Sequence, residues 1–136
     1  MSKDEIINNI INRDIFFGDL CLEAENSYKE GNYFSSIICL FIIAEQIIKF
    51  SLNADDGNYR ELLIEASTQK IIRKKEFIDL NNLRFLRNKI LHKNNYSLGI
   101  EAKGIFFPFY EMESKKIVYE KFSKNIFSIV LKVLNR

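Results

Sequence analysis

The sequence predicts a mostly helical single domain, and three observations carry that prediction. Its 136 residues leave no room for a second independent core. Hydrophobic residues make up 47% of the chain and include 12 Phe, as in a packed globular protein rather than a disordered one. Only 5 Gly and 1 Pro are present, too few for a turn-dense sandwich or barrel and compatible with long helices.

The elements follow in order. A first helical region is expected from about Lys3 to Lys29, with Ile6, Ile7, Ile10 and Ile11 as one apolar stripe and Phe17, Leu20, Cys21 and Ala24 continuing it. Asp14, a good N-cap residue, and Gly18 permit a kink or restart within it. Gly31-Asn32 supplies a left-handed stop. A second helix, about Tyr33 to Leu52, is apolar on nearly all sides through Ile37, Ile38, Leu40, Phe41, Ile42 and Ile43, so it should be buried all round, in the centre or partly against a second subunit. Asn53 to Gly57 breaks it, and a short helix from about Tyr59 to Ser67 carries Leu62, Leu63 and Ala66. A fourth, roughly Lys75 to His92, buries Phe77, Leu80, Leu83, Leu86 and Ile90. From Asn94 to Lys116 the helical pattern lapses, and Ile105–Tyr110 can pair with Ile117–Tyr119 as a short hairpin, with Pro108 confining it to an edge. A last helix from about Glu120 to Leu134 buries Phe122, Ile126, Ile129, Val130 and Val133.

Several function classes are set aside by composition. Two distant cysteines and a single histidine cannot supply a four-ligand zinc site. Cys21 and Cys39 sit in apolar helical contexts and are expected reduced and packed as small hydrophobes. Asp4, Glu5, Asn8, Asn9 and Asn12 interrupt any signal-like run at the N-terminus. The greasiest stretch, Ile37 to Ala44, is too short to span a bilayer before Glu45, Gln46 and Lys49 intervene. A cytoplasmic protein with no membrane partner and no cofactor is expected.

The charge is unevenly placed. Between Lys70 and Lys93 stand eight basic residues (Lys70, Arg73, Lys74, Lys75, Arg84, Arg87, Lys89, Lys93) against Glu76 and Asp79, on a chain whose net charge is only +2. Such a local field suits a polyanion such as RNA, and equally an ordinary solvated helix face. His92 is the lone histidine and the side chain best suited to proton transfer near neutrality. Arg84 and Arg87 can hold a phosphate through forked donors, and Asn88 can orient either partner. Arg84, Asn88 and His92 recur every fourth residue on one side of the helix. Arg87 lies five residues before His92, roughly 140° around the axis, and has to reach sideways along its flexible stem. The same residues also suit a plain helix end, where a cationic His is favourable.

The segment Leu83-Arg-Phe-Leu-Arg-Asn-Lys-Ile-Leu-His92 resembles the signature helix of HEPN domains, whose motif is Arg, four to six residues, then His, often with Asn after the Arg. Upstream, Ala24, Gly31-Asn-Tyr33, Ala44-Glu45 and Leu52 resemble that family's first helical pair, so the likeness covers about Cys21 to Asn94. It implies an all-α bundle of four or five helices that dimerises, with both motifs lining one cleft on the two-fold axis. It also implies a metal-independent ribonuclease of toxin–antitoxin or antiviral defence systems, with a cognate antitoxin as a partner; other members only bind RNA or protein. One departure stands out: where the branch paired with nucleotidyltransferase antitoxins carries a modifiable Tyr two residues after the His, this chain has Asn94, and its nearest tyrosine is Tyr96.

The expected chemistry follows from counting. Cleavage by the RNA's own 2′-hydroxyl needs a base, an acid and cations for the phosphorane charge. One chain has one histidine, so a two-histidine version requires two chains. His92 is expected as general acid/base, Arg87 as phosphate clamp and Asn88 as orienting group, with Glu45 positioning Arg or His from the second helix or simply paired there. Arg84, Lys89, Lys93 and the run Arg73-Lys74-Lys75 are the expected RNA contacts, that run serving equally as a solvated helix start. Phe106, Phe107, Phe109 and Tyr110 suit base stacking or packing over the core or dimer seam.

Overall fold

The computed structural model describes residues 1–92 and 98–136. In chain order these form α1 (Lys3–Arg13), α2 (Ile15–Lys29), α3 (Tyr33–Leu52), α4 (Tyr59–Thr68), α5 (Lys74–His92), β1 (Gly99–Ala102), β2 (Ile105–Pro108) and α6 (Met112–Leu134). The fold is mostly helical, with one small antiparallel sheet. α3 lies at the centre, packed against α2, α4, α5 and α6, while α1 closes over α2 and α6.

Local chemistry explains most boundaries. Asp14 divides the first helical region by accepting the Phe17 N–H at 2.9 Å, which makes it the N-cap of a new helix. Gly18 is needed for a reason other than a kink: a Cβ there would lie 2.7 Å from the Ile11 Cα, so only glycine lets α2 approach α1 this closely. α2 ends in a left-handed Gly31, with the Asn32 N–H bonded back to the Ser27 carbonyl at 2.8 Å. α3 and α4 stop the same way, at Asn53 and Lys70. At the start of α5, Glu76 reaches back to the Arg73 N–H at 2.7 Å, half of a capping box.

The last third differs from expectation. Ile105–Pro108 does form a strand, but it pairs with Gly99–Ala102, in the register Gly99↔Pro108 to Ala102↔Ile105. The turn between them is Lys103-Gly104, both with positive φ, the geometry that matches strand twist in a two-residue hairpin. Ile117–Tyr119 belongs to α6, which begins at Met112 rather than near Glu120. The buried face of α6 includes Ser114 and Ser123 beside Val118, Tyr119 and Phe122, and those polar positions hid the helical period. Of the aromatic stretch, Phe109 is fully buried and anchored by its N–H to the Leu98 carbonyl, whereas Phe106 and Tyr110 are exposed.

α3 is not buried all round: eight of its residues are buried, but Phe34, Ile42 and Phe50 are about half exposed. Taken whole, Tyr33–Leu52 has a mean hydropathy of 1.7 and is long and apolar enough to cross a membrane, although the eight-residue run at its heart is not. Both cysteines are free; burial pushes the Cys21 thiol up to about 12, which leaves it protonated and inert at neutral pH.

Two polar clusters tie the bundle. Glu25 is buried and receives the Tyr119 hydroxyl at 2.8 Å and the Lys3 ammonium at 3.0 Å, joining α1, α2 and α6. The Tyr28 and Tyr119 rings stack at 4.6 Å with the Lys3 charge over both. On the other side Glu76 pairs with Lys132, joining the start of α5 to the end of α6. Burial alone would raise the Glu76 carboxyl, but hydrogen bonds from Lys132 and the Arg73 N–H outweigh it and hold the group below its ordinary value. A lowered folded value means stability present above the unfolded value of 4.5 and lost as pH falls through the folded one. Glu76→Gln is therefore expected to cost about 1.5–3 kcal/mol at neutral pH. Denaturant melts should show that difference shrinking as the pH is taken well below 4.5.

Candidate functional site

Four of the site candidates, Glu45, Arg84, Arg87 and Asn88, come together where α3, α4 and α5 meet. α4 packs against both α3 and α5, and this brings the last turns of α5 alongside the start of α4. The Arg87 guanidinium turns inward and donates to Glu45 on α3, Nη1 to Oε2 at 3.3 Å. It also lies over the Tyr59 ring, 5.9 Å from its centre. Glu45, 42 residues upstream, is thus paired with Arg87, a contact that suits a positioning group and a simply paired side chain alike.

Two buried donors here have no hydrogen-bond partner among the described residues: the Tyr59 hydroxyl and Arg87 Nε. Tyr59 is only 7% exposed. Burial, then the Glu45 carboxylate, push its hydroxyl far above the ordinary tyrosine range, more than Arg87 and Arg84 pull it down. It stays a protonated donor at any physiological pH. Leaving such a group unpaired typically costs about 1–3 kcal/mol, so both atoms call for an account.

Beside them is a cavity of about 270 Å³, lined by Asn58, Tyr59, Arg60 and Glu61 of the α4 start and by Arg84, Arg87 and Asn88 of α5. Asn58 caps α4 by accepting the Glu61 N–H at 3.2 Å. Arg84 is steadied by Asn81, 3.0 Å from its Nε, and by the face of Phe85. Three guanidinium groups therefore face one small space with a single lining carboxylate, that of Glu61.

His92 is not in this cavity. It is the last residue of α5 and exposed, displaced from Arg87 by about 7.5 Å along the axis and roughly 140° around it. Contrary to expectation, Arg87 does not reach sideways toward it; the guanidinium is paired with Glu45 on α3 instead. His92 instead ends a solvent-facing stripe with Ile78 and Phe85, spaced seven apart and about half exposed.

The remaining predicted contacts scatter. Lys89 is exposed and borders a different, mainly apolar cavity of about 730 Å³ between α5, β1 and α6, with Phe85, Ile100, Lys121 and Phe122. Arg73, Lys74 and Lys75 are exposed at the far end of α5, about 27 Å from His92 along the helix. They form a solvated helix start, with Arg73 bound to Glu76 at 3.5 Å. Lys93, Asn94 and Tyr96 lie outside the described residues.

Sequence reading passed over Tyr59 and Arg60. A signal was present: Arg60 sits in the first turn of a helix, where a cation opposes the dipole, the kind of local rule-breaking that accompanies function. No protein-family model, no curated protein and no solved structure matches this chain.

The Arg87–Glu45 pair is about one-quarter exposed on each side, which limits its worth. A double-mutant cycle with Arg87→Ala and Glu45→Ala is expected to give a coupling of about 0.5–1 kcal/mol. Tyr59→Phe, which removes an unbonded hydroxyl, should leave the Tm of the free protein unchanged or raise it in calorimetry.

Proposed function

We propose that the chain is a metal-independent RNA endonuclease of the HEPN type, acting as a homodimer. The observation that carries this reading is the exposed His92, placed at the end of the Ile78–Phe85 stripe on the same helix that supplies Arg84, Arg87 and Asn88. An apolar stripe that opens onto the only imidazole offers a second copy a reason to dock there, and docking brings a second imidazole to the first.

In that cleft one His92 accepts the 2′-hydroxyl proton while the partner's His92 protonates the departing 5′-oxygen. The 2′-oxygen bonds to phosphorus as the 5′ bond breaks, leaving a 2′,3′-cyclic phosphate and a 5′-hydroxyl. Arg87, held by Glu45, clamps a backbone phosphate of the strand, and Asn88 orients it. A toxin or defence role in the cytoplasm, restrained by a cognate antitoxin, fits such an activity.

A second reading is a non-catalytic HEPN module that binds RNA or a protein. The inward turn of Arg87, away from His92, favours it.

Incubation with RNA in excess chelator separates the two. Cleavage to cyclic phosphate ends, reduced at least about 10²-fold by His92→Ala, is the expected result. Binding without cleavage supports the second reading instead. Phe85→Glu should convert the dimer to monomer in sedimentation and abolish cleavage with the fold intact by circular dichroism; a monomeric wild type that still cleaves would sink the two-chain mechanism.

A further inference from the structure

The donors gathered around the start of α4 exceed what the fold uses. Neither Arg60 nor Arg84 has a carboxylate within salt-bridge distance among the described residues. The Tyr59 hydroxyl and Arg87 Nε are buried, protonated and unbonded there. The N–H groups of the first turn of α4 add partial positive charge, with only that of Glu61 satisfied by the Asn58 side chain.

A ligand that answers this set must bring acceptors and no donors, must be anionic, and must be small enough for about 270 Å³. A phosphate group meets all three conditions. A peptide or a sugar would bring its own N–H or O–H groups to a space whose lining offers few acceptors, Glu61 and the two asparagine side chains.

We propose that this cavity is a phosphate subsite for a single RNA strand, with Tyr59, Arg60, Arg84 and Arg87 as its donors. The identity of the polyanion rests on the ribonuclease reading above. Because His92 lies roughly 140° around α5 from Arg87, the phosphate held here flanks the one cleaved. The subsite grips and registers the strand, and Tyr59 is a binding residue rather than a catalytic one.

The test uses a 2′-O-methyl tetranucleotide, which lacks the attacking hydroxyl, titrated into the full chain at low salt by calorimetry. NMR signals of the arginine Nε–H groups report the location. Shifts at Arg60, Arg84 and Arg87 are expected, with Kd raised about tenfold or more in Arg60→Ala and severalfold in Tyr59→Phe, whose Tm does not fall. No binding by the wild type, or equal affinity in both variants, overturns the subsite. Cleavage that depends on His92 while both variants bind normally keeps the nuclease and discards the subsite. Affinity that depends on Tyr59 and Arg60 in a protein that never cleaves RNA does the reverse.

Discussion

The constraint that shapes everything else is the burial of α3. Twenty residues with a mean hydropathy of 1.7 must be covered by a chain of 136, and α2, α4, α5 and α6 are arranged around that need. Near the end of this apolar rod stands Glu45, a carboxylate on a helix with otherwise one charged side chain, Lys49. A partly buried carboxylate requires a cation, and Arg87 provides it from α5. The geometry of the candidate site thus descends from the core: Arg87 is inward because Glu45 is there.

The same pairing divides the α5 motif. Arg87 and His92 look like one unit in the sequence, but the structure gives them different neighbours. Arg87 shares a cavity with the first turn of α4, whereas His92 shares a surface with Ile78 and Phe85. In the proposed nuclease, grip and proton transfer therefore fall on separate surfaces of one helix, a strand being held by one face while its reacting phosphate lies against the other.

Much of the fold was legible because its punctuation is local. Asp14, Gly31 and Asn53 act within three to five residues of themselves, and each stopped or started a helix at or close to its expected place. The α6 boundary was not legible, since Ser114 and Ser123 are buried polar residues and broke the apolar stripe that would have revealed the helix. At the site, residue type and spacing singled out Arg84, Arg87, Asn88 and His92, and the family resemblance added Glu45. The grouping of Glu45, Arg84, Arg87 and Asn88 apart from His92 was hidden, because it depends on contacts across 42 residues and on α4 lying beside α5. Tyr59 looked like the first residue of a short helix, and nothing in its neighbours announces that its hydroxyl is buried without a partner.

The order of the helices along the chain has a consequence for biosynthesis. A ribosome completes α3 while its cover, α6, is still some sixty residues from being made. During that interval a greasy rod long enough for a bilayer is covered, among the elements already made, by α2 alone. Newborn chains are thus candidates for chaperone capture, and truncations that delete the last helix should yield insoluble material rather than a smaller folded protein.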